Sequence, residues 1–238
     1  MDDPPPDDLL PFPGKPNRAA FLAEARALAE LRAFRRYRLA LIRELPNWPS
    51  RSALVIPGFL SGDWATAPMR SVLSAVGHDV HGWGMGRNLG LRPGVFEALE
   101  RLFQRRVEAA GRPIALIGWS LGGLYATELA RRYPEMTQQL ITLGSPVSGH
   151  LTANNVWRRY EQIAGHPIAD APVRWQPGAL PPVPFLAIQA RGDGIVHPQA
   201  ARARQGPLVE NVTVAGSHSG LGWNIEAVRI IADRLARR

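Results

Sequence analysis

The chain has 238 residues, 45% hydrophobic and 20% charged, enough for one α/β domain with its own core and unlike a disordered or fibrous protein. It contains no cysteine, which excludes a disulfide framework, a thiolate metal site and a catalytic thiol. A net charge of +8 permits contact with anionic surfaces without specifying one.

Residues 1–17 hold five prolines before Pro16 and four aspartates, and read as a flexible arm. This start lacks the basic-then-apolar pattern of a secretion signal, and no run reaches the roughly 18 apolar residues of a membrane span. A cytoplasmic protein is the expectation. Residues 18–49 form the next unit. Between Arg18 and Leu45, residues Phe21, Leu22, Ala25, Leu28, Leu31, Phe34, Leu39, Ile42 and Leu45 recur near a 3.6-residue period, predicting an amphipathic helix that Pro46 and Pro49 end. The stretch carries seven arginines and three glutamates. Such a helix either lies on a membrane or acidic partner, or packs its apolar face on the domain.

Residues 50–238 alternate strand and helix patterns, the signature of a parallel sheet with crossover helices. Strands are expected at Ser52–Ile56, Asp79–Trp83, Pro113–Gly118, Leu140–Leu143, Phe185–Gln189 and Val209–Val214. Helices are expected at Met69–Val76, Val95–Ala110, Leu121–Tyr133 and Glu226–Leu235. Residues 147–184, with Trp157, Tyr160, Trp175 and several prolines, break this rhythm and read as a cap insertion beside the carboxyl edge of the sheet.

Gly118-Trp119-Ser120-Leu121-Gly122 places a serine between an apolar strand and a helix, on a turn too tight for side chains at Gly118 and Gly122. Ser120 would project above a helix N-terminus, which favours developing negative charge. A serine hydroxyl is a poor nucleophile near neutral pH and needs a base, which needs an orienting acid. Asp193, after the fifth strand, and His218, after the sixth, provide both at the ligand-binding edge of an open α/β sheet. His197 and His150 are the other candidate bases, and Asp170 the other candidate acid; His78 and His81 fit packing or surface roles, and His166 sits in the insertion.

Ser120 within Gly118–Gly123, Gly192-Asp193-Gly194-Ile195-Val196 and His218 together resemble an α/β-hydrolase of the esterase and lipase type. Leu143-Gly144-Ser145-Pro146 is similar to a segment many lipases carry after the corresponding strand, and Gly86-Arg87-Asn88 resembles a loop of small bacterial serine hydrolases. The resemblance runs from Arg51 to the C-terminus. It implies an α/β-hydrolase fold with a minimal, mostly parallel sheet of about six strands, flanking helices and a short cap. It also implies Ser120, His218 and Asp193 as the catalytic set, with the backbone N–H groups of Phe59 and Leu121 as the oxyanion hole and Leu60 as the other candidate for the first donor. Pro57-Gly58 stands where lipases usually carry His-Gly, a tolerable departure because the donors are backbone groups.

The implied reaction is cleavage of carboxylic esters of hydrophobic acyl groups through an acyl-enzyme, without metal or organic cofactor. Thioester, lactone or amide cleavage, acyl transfer, and a non-catalytic binding or membrane-associated module are the alternatives. Leu60, Trp83, Trp119, Trp157 and Trp223 are candidate substrate-binding residues; Trp64 and Met85 also fall near site loops, and Trp175 lies with Trp157 in the expected cap. Such aromatics either line an apolar acyl pocket or fill the core. Arg87 either meets an anionic head group or braces its glycine-rich loop. A small-molecule or lipid ester is the expected partner, with peripheral membrane contact through residues 18–45 as a further option. No nucleic-acid motif is present.

Overall fold

The computed structural model describes residues 12–46, 49–173, 176 and 178–237. Residues 1–11 of the expected arm, and Trp175, lie outside the described residues. Residues 12–17 do not form a free arm. Phe12 sets its ring edge on His150 at 5.6 Å, and the carbonyl of the buried Pro16 accepts a hydrogen bond from Asn155 Nδ2.

Six strands form one sheet: β1 Ser52–Ile56, β2 Asp79–Gly82, β3 Ile114–Trp119, β4 Thr137–Leu143, β5 Phe185–Ala190 and β6 Val209–Val214. Their order is β2-β1-β3-β4-β5-β6 and every pairing is parallel. Ile56 lies opposite Gly118, Trp119 opposite Leu143, and Leu143 opposite Ile188, so the loops after β1, β3, β4 and β5 leave from one edge. The chain moves outward from β1 to β2, then returns to β3 on the other side. That reversal opens a crevice at the carboxyl ends of β1 and β3, the usual ligand position in open α/β sheets.

Strand side chains alternate between two cores. Ala53, Val55, Ile117 and Ile141 face helices α2 (Ala27–Glu44), α3 (Asp63–Ala75) and α7 (Ile225–Ala236). Leu54, Ile56, Leu116 and Leu140 face α4 (Val95–Ala110) and α5 (Leu121–Arg132). Because both faces are covered, β1 and β3 read as near-continuous apolar runs rather than alternating with polar residues. The connection from β4 to β5 is long and holds helix α6, Trp157–Ala164. Among the described residues no helix is long and apolar enough to cross a membrane.

The N-terminal helix differs from its sequence pattern in two ways. It is broken: α1 (Arg18–Ala23), capped by the Asn17 side chain on Ala20 N, meets α2 through a 3₁₀ turn at Glu24–Arg26. Its buried stripe is narrower than predicted, comprising Ala27, Phe34, Leu41 and Leu45, while Leu22 and Leu28 are 74% and 68% exposed. The seven-residue spacing of Ala27, Phe34 and Leu41 keeps one line of contact on the domain core. Leu28 and Leu39, placed between these positions, rotate into solvent. Helix α3 begins six residues earlier than expected because Pro68 is tolerated inside it.

Candidate active site

Helix α5 starts directly after β3, and the turn between them holds Ser120 at φ 53° and ψ −121°. Only Ser120 and Leu60 among the described non-glycine residues have positive φ, and both sit at this crevice. Such strained backbone persists where its surroundings over-determine it. Here Ser120 N donates to Leu143 O at 2.8 Å and Gly123 N to Ser120 O at 3.0 Å. A Cβ on Gly118 would lie 2.6 Å from Gly123 N, and one on Gly122 would lie 2.6 Å from Pro57 O. Gly58 brings the loop after β1 against the serine, leaving 3.1 Å between a Cβ there and Ser120 Cβ.

The structure brings His218 and Asp193 together. Asp193 Oδ2 accepts from His218 Nδ1 at 2.6 Å, with both side chains buried. Asp193 Oδ1 accepts from the backbone of Ile195 (2.9 Å) and Val196 (2.7 Å), so the carboxylate is oriented on both sides. With Nδ1 donating to a carboxylate, Nε2 of neutral His218 carries the lone pair a base requires. Burial pushes the imidazole down, but the Asp193 charge and hydrogen bond, with Glu24 beyond, hold it above the usual 6.5. His218 sits over the turn after β4, where a Cβ on Gly144 would come within 2.9 Å of Nδ1. Its carbonyl accepts from Trp119 Nε1 at 3.3 Å, beside the serine. No hydrogen bond joins Ser120 Oγ to His218 among the described residues; such contacts often tighten only when substrate binds.

The other candidates fall elsewhere. His197 shares the acid's loop, where burial pushes it below its usual value. His81 pairs with Asp79 at 2.9 Å, and His166 lies between the carbonyls of Pro167 and Leu91. Asp170 is exposed in the insertion. Among the described residues no group of three His, Asp or Glu side chains could hold a metal ion.

For an anionic oxygen, the loop after β1 offers the Phe59 amide, next to Gly58 at the serine turn. Leu60 N is committed to Asn88 O at 2.7 Å and Ser61 N to Gly58 O at 3.2 Å. Phe59 N and Leu121 N, the first amide of α5, make no hydrogen bond among the described residues. Asn88, fully buried, braces this loop by donating to Pro57 O at 2.8 Å, while its Oδ1 accepts from Gly90 N and Tyr125 OH. Arg87 is exposed and makes no hydrogen bond or ion pair among the described residues. The bracing belongs to its neighbour.

A cavity of about 30 Å³ adjoins Ser120, lined by Phe59, Leu121, Leu124, Pro146, Asn154, Val156, Trp157, Tyr160, Ile168 and Val196. Of the five aromatic and aliphatic residues proposed from sequence for substrate, Trp157 lines it. Trp83 is buried in the core with Nε1 on Gly86 O, and Trp223 donates to Ala27 O on the N-terminal segment. Trp119 packs between His218 and Trp223, and Leu60 points to solvent. Trp64 is exposed and Met85 packs on the α4 side of the core. Tyr160 is the notable addition. Its ring meets Phe59 at 5.6 Å, its hydroxyl is held by Leu91 N, and burial pushes its pKa up to about 12.

The N-terminal segment also contributes charge. Glu24 accepts from the backbone of Gly194, His218 and Ser219, Arg26 donates to the carbonyls of Gly192 and Gly216, and Glu30 accepts from Ser217. Nothing in the helical pattern of residues 18–45 marked these three as different from solvated charges. The indirect signal was the glycine pairs that bracket Asp193 and His218.

The parallel sheet with its strained serine turn and strand-end loops is the α/β-hydrolase fold, of the kind found in esterases and lipases. No family model matches the chain. In sequence it is similar to pimeloyl-(acyl-carrier protein) methyl ester esterase of Klebsiella pneumoniae, 37% identical over 67 residues, covering 28% of this chain and 24% of that protein. The enzyme of that name from Aliivibrio fischeri is 35% identical over 80 residues, 34% of this chain and 28% of that protein. The match thus spans about a quarter of the length of these curated relatives. Among solved structures, Aspergillus fumigatus lipase B superposes with a TM-score of 0.61 at 16% identity, over 82% of this chain and 56% of that one. Paleococcus ferrophilus monoacylglycerol lipase gives 0.56 at 16% identity, over 78% and 93%. A pyrethroid hydrolase gives 0.53 at 20% identity, over 80% and 100%. At these identities the likeness establishes the fold.

Proposed function

We propose that this chain is a carboxylic ester hydrolase in which Ser120 is the nucleophile, His218 the base and Asp193 the orienting acid. The observation that carries this reading is the buried 2.6 Å pair of Asp193 and His218 beside a serine in strained backbone at the head of α5. The local likeness to methyl ester esterases and the lipase-like fold support an ester as the substrate class.

Ser120 Oγ attacks the ester carbonyl carbon as His218 Nε2 takes its proton. The oxygen that becomes negative is received by Phe59 N and Leu121 N, backbone donors with no other partner among the described residues. The imidazolium, held by Asp193, returns the proton to the departing alcohol oxygen, leaving Ser120 acylated. Water, deprotonated by the same nitrogen, then releases the carboxylic acid and restores the serine.

The apolar lining of the cavity beside Ser120 favours a hydrophobic acyl group, and its size limits that group's length. At about 30 Å³ it seats the first atoms of an acyl group beside Ser120, and Trp157 and Tyr160 of α6 form a wall that a longer chain passes. Short acyl esters are the substrates we expect to be turned over best. The test is hydrolysis of p-nitrophenyl esters from acetyl to palmitoyl by the wild type and Ser120→Ala. Turnover concentrated on short esters and lost in the folded variant agrees with the reading. Turnover retained by Ser120→Ala refutes it.

A further inference from the structure

The two loops that carry the acid and the base are joined by a side chain from outside both. Glu24 Oε1 accepts from Gly194 N at 2.8 Å and from His218 N at 2.9 Å, and Oε2 accepts from Ser219 N at 2.8 Å. Gly194 directly follows Asp193, and Ser219 directly follows His218. Arg26 makes a second link between the same loops, with Nη2 donating to Gly192 O at 2.6 Å and Gly216 O at 2.8 Å. Glu30 completes the set through Ser217, from its backbone N at 3.0 Å and its Oγ at 2.5 Å.

The loops are shaped to receive this segment. A Cβ on Gly192 would fall on the Arg26 guanidinium, one on Gly194 on the carbonyl of Ala20, and one on Gly220 on the Glu30 carboxylate. Three glycines around the acid and base therefore make room for the N-terminal segment rather than for substrate. Burial pushes the Glu24 carboxyl up, yet the N–H bonds from Ser219, Gly194 and His218 outweigh it and hold the group below its usual 4.5. Charge-assisted bonds of this kind are roughly twice as strong as neutral ones.

We propose that Glu24 is a positioning residue for the proposed acid and base, one carboxylate fixing the backbone of both loops so that His218 and Asp193 meet in register. This rests on the reading of Ser120, Asp193 and His218 as the catalytic set. Glu24 acts in two ways. It fixes the main chain on either side of the base, and it adds a negative charge that favours the imidazolium formed during turnover. The charged or titratable groups around His218 are Asp193 from the loop after β5 and Glu24 from the 3₁₀ turn. Arg26 and Glu30 lie on the same N-terminal segment, and His197 follows on the acid's loop.

The test uses the full chain with Glu24→Gln, which keeps size but loses charge and one acceptor, and Glu24→Ala. Leu41→Ala serves as the comparison, since it loosens α2 in the core without touching either loop. With p-nitrophenyl butyrate, both Glu24 variants are expected to lose kcat, by about 100-fold if the base moves by an ångström, with KM unchanged. The acid limb of the kcat/KM profile moves to lower pH in both, while Leu41→Ala lowers Tm and leaves the limb in place. Wild-type kcat and limb in a folded Glu24 variant overturn the proposal, as does an equal shift in Leu41→Ala.

Amide hydrogen exchange separates this inference from the catalytic reading it rests on. The amides of Gly194, His218 and Ser219 are expected to be protected in the wild type and to exchange faster in Glu24→Gln, with β3 amides unchanged. If Ser120→Ala retains turnover, the catalytic reading fails while the clamp still stands on the exchange data. If the three wild-type amides exchange as freely as exposed loop amides, the clamp itself is refuted, whether or not the variants fold.

Discussion

Replacing Asp193 by asparagine changes one atom and should reverse the hydrogen bonding of the base. Oδ1 faces two backbone donors, Ile195 N and Val196 N, while Oδ2 faces His218 Nδ1. An amide has one acceptor oxygen, and the two backbone N–H groups claim it. The NH₂ group then points at Nδ1 and forces that nitrogen to accept. The neutral ring carries its proton on Nε2, where it can no longer receive one from Ser120. A wrong tautomer of this kind in a serine–histidine–aspartate set costs about 10⁴ in kcat, equivalent to about 5.4 kcal/mol of barrier. The assay is kcat and KM on p-nitrophenyl butyrate for Asp193→Asn beside Asp170→Asn, with thermal unfolding of each. Asp170 is exposed and touches none of the site, so its variant should match the wild type. A folded Asp193→Asn within tenfold of wild-type kcat, or a larger loss in Asp170→Asn, would refute the reasoning.

Gly122→Ala should disturb the serine turn, because its Cβ would meet the carbonyls of Ile56 and Pro57 and the backbone must yield. A cost of about 1–3 kcal/mol is expected, read as a Tm drop of roughly 3 °C per kcal/mol together with lost turnover. Wild-type kcat/KM in rising pH should show an acid limb centred above 6.5, since His218 is raised and must be neutral to act; a limb below 6.5 would contradict this. The two titrations act oppositely on stability. The raised His218 contributes fully below 6.5 and loses its contribution as pH rises through its folded value. The lowered Glu24 contributes above 4.5 and loses it as pH falls through its folded value, so urea midpoints should fall on both flanks. Trp157→Ala removes a wall of the cavity beside Ser120 and should shift the ester chain-length optimum upward, with an unchanged optimum counting against that wall as the limit.

Much of the fold was readable because its signals are local. Apolar runs such as Ser52–Ile56 and Ile114–Trp119, each followed by a glycine-rich turn and a helical pattern, specify strands buried on both faces. Parallel pairing then carries every strand end to one edge, so Ser120, Asp193 and His218 could be placed on one side of the sheet from chain order alone. The aromatic residues were harder to assign. Trp83 and Trp223 lie beside site loops in sequence, yet their rings turn into the cores, and a side chain's direction is decided by contacts distant along the chain. Asn88 was masked by its charged neighbour Arg87, although a buried amide brace is the stronger structural element. Glu24 was the least legible of all. A glutamate in an arginine-rich helix reads as a solvated charge, and its partners lie 170 to 195 residues away.

The most direct test of the catalytic account is stoichiometric labelling with a p-nitrophenyl alkylphosphonate, followed by peptide mass mapping. The account predicts one adduct per chain, on Ser120, formed far more slowly in His218→Ala and Asp193→Asn. Absence of any adduct, or an adduct on another residue, would contradict it.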